Sequence, residues 1–275
     1  MTRQPHAAAA ERAPVGDPVP ERVAAYFDAV DGGRTDDAVE QLASRVLVAL
    51  PPAGGHEVDP RRIARGREEV RRLLGERQAE GRRHEIVLCV VEGASCLVEG
   101  LFLDPAGKAE RTFVAAFRLD AEGRIERYLA FACEPAVALP PRADLLRSVP
   151  SAGAAVEGYF QALDGGHFEE AAERFSAGVL YCHPPYRHTG ITDNRRVDFN
   201  GREELLAAFR RRGRAVFSHR VLGLIQRGPN ALFEVVVEDL PGGGTGSGVC
   251  SLSLDDEGRI YRYVAFYTEP GVPQR

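Results

Sequence analysis

Apolar residues recur along this chain with two spacings, one typical of helices and one typical of strands. In segments 23–30 and 156–163 they stand three or four residues apart, which predicts a helix with one buried face in each. Glycine pairs at 32–33 and 165–166 end both helices. Further helices are predicted at 35–43 and 168–176, and after Gly66 and Gly201.

Four strand-like runs close each part of the chain, and short links rich in glycine and turn residues separate them. Such links suit antiparallel hairpins. Because the helices precede the strands in both parts, we predict an α+β fold with the helices on one face of a curved sheet. The predicted strands are 84–92, 96–104, 110–120 and 124–133, then 218–227, 231–240, 247–255 and 259–269.

The chain is an internal duplication. Asp31-Gly32-Gly33 returns at 164–166, and Gly66-Arg67-Glu68-Glu69 returns at 201–204. Both offsets (31 to 164, then 66 to 201) far exceed the ~20–50 residues of a solenoid repeat, so we predict two domains of one fold. The predicted segments are a disordered leader at 1–18, a first domain at 19–135, a linker at 136–150 and a second domain at 151–270.

Composition narrows the classes of function. The net charge is −5, and glutamates are interspersed among the arginine clusters, so we expect no nucleic-acid partner. No run of ~18 apolar residues predicts a membrane span, and residues 1–18 lack the apolar core of a signal peptide, so we expect a cytoplasmic protein. The five cysteines are scattered and contain no C-x-x-C pair, which favours buried reduced thiols.

The segment 179–188 concentrates the candidate chemistry, because two imidazoles and two phenols fall within a few residues. Its start reads as a strand that places Tyr181 and His183 on one face. The earlier copy has Val48 and Leu50 at these positions. Since histidine takes up and returns a proton near neutral pH, His183 is a candidate acid or base of the second domain only.

The ordered motifs Y-F-x-A-h-D-G-G, P-P, G-R-E-E-L, H-x-V and D-x-E-G-R-I-x-R-Y resemble those of the nuclear transport factor 2-like superfamily. The similar branches are the SnoaL-like polyketide cyclases and the ketosteroid isomerases. The resemblance implies two tandem cone-shaped domains, cystatin-like α+β rolls, each with three helices on a curved and mostly antiparallel sheet. This fold hosts isomerases, cyclases, dehydratases, epoxide hydrolases and non-catalytic binders, so the fold does not fix the reaction.

Carried over residue by residue, the resemblance implies that Tyr159 donates a hydrogen bond to an enolate oxygen. His183 takes the place of the isomerase's general base, where the first copy has Leu50. Cys250 stands where the isomerase has its second oxyanion donor, which is therefore missing. Copies of this fold pair through their sheets, which implies an intramolecular pseudo-dimer, with a further homodimer left open. Independently of the resemblance, Glu99 and Glu234 repeat inside apolar strands. We expect them to form ion pairs with arginine, across strands or between the domains, and the alternative is that they are cavity carboxylates.

The predicted working site is in the second domain, and the first domain is predicted to be a degenerate scaffold. We expect a cofactor-free acid–base enzyme, a cyclase, isomerase or dehydratase, acting on a largely apolar polyketide-like or terpenoid-like intermediate of natural-product biosynthesis. The alternatives are a non-catalytic small-molecule-binding or assembly module and an epoxide hydrolase or epoxide-opening cyclase. No metal is expected, because the histidines match no local zinc motif. The predicted catalytic residues are His183 and Tyr159, and the predicted substrate-binding residues are Tyr181, Tyr186, His188, His219, Cys250, Tyr263 and Tyr267, with Tyr186 and His188 on a lid at 184–200.

Overall fold

The computed structural model describes residues 15–50, 63–76, 83–138, 149–183, 197–240 and 244–268. The first half comprises β1 (Val15–Gly16), α1 (Glu21–Asp31), α2 (Thr35–Glu40), β2 (Leu42–Ala49), β3 (Ile63–Arg65), α3 (Gly66–Gly75), β4 (Arg83–Glu92), β5 (Ser95–Leu103), β6 (Ala109–Leu119) and β7 (Ile125–Cys133). The second half comprises α4 (Ala152–Gly165), α5 (Phe168–Glu173), β8 (Phe175–His183), β9 (Val197–Asn200), α6 (Arg202–Arg212), β10 (Ser218–Arg227), β11 (Asn230–Leu240), β12 (Gly244–Leu254) and β13 (Ile260–Thr268).

Each half contains one sheet, and apart from the additional strand β1 the two sheets have the same topology. The order is β1-β4-β5-β6-β7-β2-β3 in the first half and β10-β11-β12-β13-β8-β9 in the second. Pairing is antiparallel except where β2 joins β7, β8 joins β13 and β1 joins β4. The first pair of meander strands carries a register shift at the same place in both halves, which bends the sheet. The predicted tandem α+β fold is confirmed.

Alternation along the strands gives each sheet two apolar faces. On β7, Tyr128 and Ala130 face the helices of their own half, whereas Leu129 and Phe131 face the other half. The outward side chains of both sheets form one shared buried cluster, to which the second half contributes residues such as Val264. The two halves therefore pack sheet against sheet, as the resemblance implied.

Two ion pairs cross this interface, and they occupy equivalent positions of the two halves, 135 residues apart in the sequence. Glu99 binds Arg262, and Glu234 binds Arg127 with distances of 2.8 and 3.0 Å to Nη1. The prediction that both glutamates pair with arginine is confirmed, and both pairs join the halves. Ser251 also donates to the Glu99 carboxylate, and alanine occupies the matching position 116.

Three sequence boundaries need correction. The predicted leader 1–18 is wrong at its end, because 15–16 pair with β4 and Asp17 bonds to Arg227 of the second half. The second helices end at Glu40 and Glu173, earlier than predicted, because β2 and β8 begin at once. The strand predicted at 247–255 begins three residues earlier, because β12 spans Gly244–Leu254.

The ends of the predicted linker 136–150 are packed against the halves. Val137 is buried in the interface cluster, and its N–H donates to Thr112 at 2.7 Å. Val149 packs against the second core. Residues 139–148 lie outside the described part of the chain.

Candidate functional site

The end of β8 brings two rings of the second half together. The His183 ring lies parallel to the Tyr181 ring, with centroids 5.9 Å apart and planes within 6°. This follows from strand alternation, which puts residues two apart on one face. His183 is only 8% exposed, although it is the last residue of its strand. Tyr181 also stacks on Tyr263 of the neighbouring β13, with centroids 4.9 Å apart.

A pair of phenols lies beside this stack. The hydroxyl of Tyr159, on α4, is 2.9 Å from the hydroxyl of Tyr181, and either can be the donor. Both side chains are buried. A phenol that receives a hydrogen bond from another phenol becomes a stronger donor itself, because hydrogen-bonded groups polarise one another. The pair is therefore suited to stabilising negative charge on a ligand oxygen.

His219 is held by a carboxylate. Asp164, at the end of α4, lies 2.7 Å from Nδ1 of His219 and also accepts the backbone N–H of that residue at 2.8 Å. The Asp31–His84 pair of the first half repeats both contacts. A pair present in both halves ties the first helix to the meander, so the hydrogen bonds of His219 serve the fold.

These side chains surround one cavity of about 30 Å³. Its wall is mainly apolar, with two imidazoles, three phenols and one thiol, as suits a small ligand group with few polar contacts. The volume holds about one water-sized group. The lining residues are Tyr159, Phe160, Leu163, Tyr181, His183, Phe217, His219, Val235, Val237, Cys250, Tyr263, Ala265 and Phe266.

The first half fills the equivalent space with aromatic rings. Phe102 and Phe113 pack against His84 with centroid distances of 4.7 and 5.4 Å. The Phe113 ring lies over Gly100, where a Cβ would come within 2.3 Å of the ring. At the 135-residue offset, Phe102 and Phe113 correspond to Val237 and Gly248. The second half therefore has no ring at either of these two positions beside the Asp164–His219 pair, and this leaves space next to His219.

The polar rings of β8 are also missing from the first half. Val48 and Leu50 occupy the positions of Tyr181 and His183, and both are buried in the core. Tyr26 instead makes an edge contact with Tyr128, at 5.4 Å between centroids. The helix tyrosine is thus a core residue in the first half, whereas in the second half its hydroxyl lies beside that of Tyr181.

Cys250 is part of the wall and is unsuited to act as a nucleophile. Burial raises the pKa of its thiol to about 12, although the Tyr263 hydroxyl, 3.6 Å away, partly offsets this. A neutral thiol is a poor nucleophile. Within the described ranges, no group of three or more His, Cys, Asp or Glu side chains could hold a metal ion. No described helix is long and apolar enough to cross a membrane.

The structure brings six of the nine predicted site residues to this cavity. They are Tyr159, Tyr181, His183, His219, Cys250 and Tyr263. The backbone of Tyr267 pairs with Gly248, but its side chain is outside the description, as are Tyr186 and His188. The predicted lid 184–200 is wrong at its end, because 197–200 form β9 and pair with β8.

Sequence reasoning missed Asp164 and the aromatic wall formed by Phe160 and Phe217. The signal for Asp164 was available, because Asp31 and Asp164 repeat together with His84 and His219. No comparable signal marked Phe217.

The comparisons with known proteins agree with this architecture. Residues 23–128 match the family model of the SnoaL-like domain. The second half repeats the motifs and strand order of the SnoaL-like half, so the tandem resemblance is confirmed. Among curated proteins, no relative matches the chain.

Several solved structures resemble parts of this chain. A candidate ketosteroid isomerase from Kribbella flavida is 25% identical over 45% of this chain and 82% of its own, with a TM-score of 0.34. A candidate polyketide cyclase from Sinorhizobium meliloti is 24% identical over 41% and 94%, with a TM-score of 0.33. An LEH-like epoxide hydrolase from M. tuberculosis is 19% identical over 42% and 81%, with a TM-score of 0.34. Each covers less than half of this chain, and at these scores none carries an argument about function.

Proposed function

We propose that the second half is the working site of a cofactor-free acid–base enzyme, and that the first half is its scaffold. The observation that supports this most is the contrast between the halves. One fold carries a phenol pair and His183 around a cavity in the second half, whereas the first half has Val48 and Leu50 and two filling rings at the matching places. The fold therefore does not require these polar groups.

In the proposed reaction, His183 removes or returns a proton at carbon, and the Tyr159–Tyr181 pair stabilises the developing oxyanion. A positioned histidine contributes about 10²–10⁴-fold to such a step. His219, fixed by Asp164, and the neutral Cys250 form the wall. The reaction class is isomerisation, cyclisation or dehydration of a compound whose carbonyl or hydroxyl end enters the cavity.

The cavity size limits the substrate. Pockets that enclose a drug-sized ligand measure about 300–1,000 Å³, and the cavity measures about 30 Å³. We propose that only the oxygen-bearing end of a largely apolar, polyketide-like or terpenoid-like compound is enclosed. The same observation favours a second candidate, a non-catalytic binding or assembly module whose second cone is almost filled by its own side chains.

Deuterium exchange at carbon next to a carbonyl tests the proposal without knowledge of the true substrate. The purified protein is incubated in D₂O with ketones from acetone to a bicyclic enone, and loss of the α-proton signal is followed by NMR. His183→Leu, which installs the residue of the first half, should lower the exchange rate by about 100-fold. His167→Ala, an exposed histidine of the same half, is the matched control and should leave the rate unchanged.

An exchange rate in His183→Leu equal to that of the wild type would contradict the assignment. If the wild type exchanges no ketone at all but retains a bound small molecule in native mass spectrometry, the non-catalytic candidate is correct.

A further inference from the structure

A second cavity, of about 730 Å³, lies on the first half and is lined largely by arginines. Four arginines line it, Arg45, Arg65, Arg118 and Arg127, together with a single acidic residue, Glu126. The remaining wall is formed by Ser44, Val46, Leu47 and Gly66. This cavity is separate from the one around His183 and shares no lining residue with it.

Strand register explains why the arginines converge. Arg127 on β7 pairs with Arg118 on β6 and with Leu47 on β2, and Leu47 pairs with Arg65 on β3. Residues paired across a ladder point to the same face, and Arg45 shares that face with Leu47. The four arginines therefore form a row across four strands on the outward face of the first sheet, beside the interface between the halves.

Arg127 has an incomplete set of hydrogen bonds. Its side chain is 7% exposed, and Nη1 donates to Glu234. Nε and Nη2 are buried and have no acceptor among the described residues. These two groups lie on the edge of the guanidinium that binds two oxygens of a carboxylate or phosphate side-on. Since buried N–H groups are almost always satisfied, an acceptor beyond the described residues is expected here.

In the equivalent arginine of the second half, all three guanidinium nitrogens have hydrogen-bond acceptors. Arg262 donates through both Nη atoms to Glu99 and through Nε to the Ala138 carbonyl at 2.9 Å. The two arginines occupy matching positions and both reach across the interface. Of the two, only Arg127 has nitrogens, Nε and Nη2, without an acceptor among the described residues.

The other arginines of the row are also particular to the first half. Arg45, Arg65 and Arg118 correspond to Gly178, Asn200 and Ser253 in the second half. All three are exposed, and Arg45 and Arg65 have no acidic partner among the described residues. Only Arg118 is paired, with Glu126 at 2.9 Å. The fold does not need arginine at these positions, because the second half has other residues there.

We propose that this arginine row is a binding site for a small organic phosphate or diphosphate. Even with Glu126 and Glu234 counted against the four arginines, the site keeps a net charge near +2, which suits a ligand with two or more negative charges. Because Nε and Nη2 of Arg127 are covered in this structure, a phosphate would reach them after the exposed arginine side chains turn aside, and those arginines would then close around it. Arginine suits this role because its planar fork matches phosphate geometry.

Titration calorimetry with inorganic pyrophosphate tests the proposal on the full chain at constant ionic strength. The test variant is Arg45→Ala/Arg65→Asn/Arg118→Ser, which approximates the second half. The control variant, Arg22→Ala/Arg71→Ala/Arg220→Ala, removes the same charge from arginines that do not line the cavity. We expect one saturable site in the wild type and in the control, and at least about tenfold weaker binding in the test variant.

Three results would overturn the proposal: no saturable binding to the wild type, equal losses in both variants, or citrate binding as tightly as pyrophosphate. The last result would assign the site to carboxylates. If the triple variant does not fold, Arg45→Ala alone, at an exposed position, gives the same comparison with Arg220→Ala.

Discussion

Removal of the Glu99 carboxylate would leave a guanidinium charge buried between the two halves. The Glu99 and Arg262 side chains are 2% and 3% exposed, so solvent does not screen their interaction. In Glu99→Ala, Arg262 would keep only the Ala138 carbonyl, and the Ser251 hydroxyl would lose its acceptor. Breaking such a buried pair from one side costs about 3–5 kcal/mol. For a chain of this size, about 2–4 °C per kcal/mol corresponds to a loss of roughly 6–20 °C in melting temperature.

The matched variant is Glu234→Ala, which removes the equivalent carboxylate. Glu234 is 21% exposed, so water can enter the space that its carboxylate leaves and solvate Arg127, and we expect a smaller loss of about 1–3 kcal/mol. The double variant Glu99→Leu/Arg262→Leu removes both charges together and should recover most of the stability. Urea unfolding followed by circular dichroism is the assay, because the chain has no tryptophan.

A loss below about 1 kcal/mol in Glu99→Ala would refute this reasoning, since it would mean that water reaches Arg262. A double leucine variant less stable than Glu99→Ala would also refute it, because the cost would then lie in packing and not in the unpaired charge.

Three further outcomes follow from the structure. Gly248→Phe should destabilise the second half by about 1–3 kcal/mol through overpacking, and adding Val235→Gly, which copies the Gly100–Phe113 arrangement, should restore the melting temperature. Burial raises the pKa of Asp17, but hydrogen bonds from Arg227 and the Val91 N–H outweigh burial and hold this pKa below its ordinary value. The stability lost in Asp17→Asn, under about 1 kcal/mol, should therefore be present at neutral pH and disappear in denaturation curves as the pH falls through the folded-state pKa. Because burial raises the pKa of Cys250 to about 12, iodoacetamide at pH 8 should leave this thiol unmodified in the folded protein and alkylate it in urea, as read by peptide mass spectrometry.

Much of the fold could be predicted because the chain is an internal duplication, so each half could be compared with the other. The repeat of Asp-Gly-Gly and Gly-Arg-Glu-Glu fixed the order of elements in both halves, and the meander strands begin and end close to their predicted limits. That Glu99 and Glu234 each pair with an arginine was predictable, because a charge within an apolar strand needs a partner of opposite charge. The sequence did not reveal which arginine each would meet, since that depends on how two sheets stack.

The site was less predictable than the fold. Residue alternation put Tyr181 and His183 on one face, but the Tyr159–Tyr181 hydrogen bond depends on helix-to-sheet packing that no spacing reveals. The cavity volume was beyond sequence reasoning for the same reason. Phe217 and Val237 line the cavity because of ring packing and strand register, not because of any motif.

The central claim, that chemistry belongs to the second half alone, is tested most directly by comparing two equivalent tyrosines. Tyr159→Phe and Tyr26→Phe each remove one buried hydroxyl from the first helix of a half, at matching positions. In the ketone exchange assay, we predict that Tyr159→Phe lowers the rate by about 100-fold, the usual loss for one oxyanion donor. Tyr26→Phe should remain within about twofold of the wild type. Equal rates in the two variants, whether both reduced or both unchanged, would contradict the account.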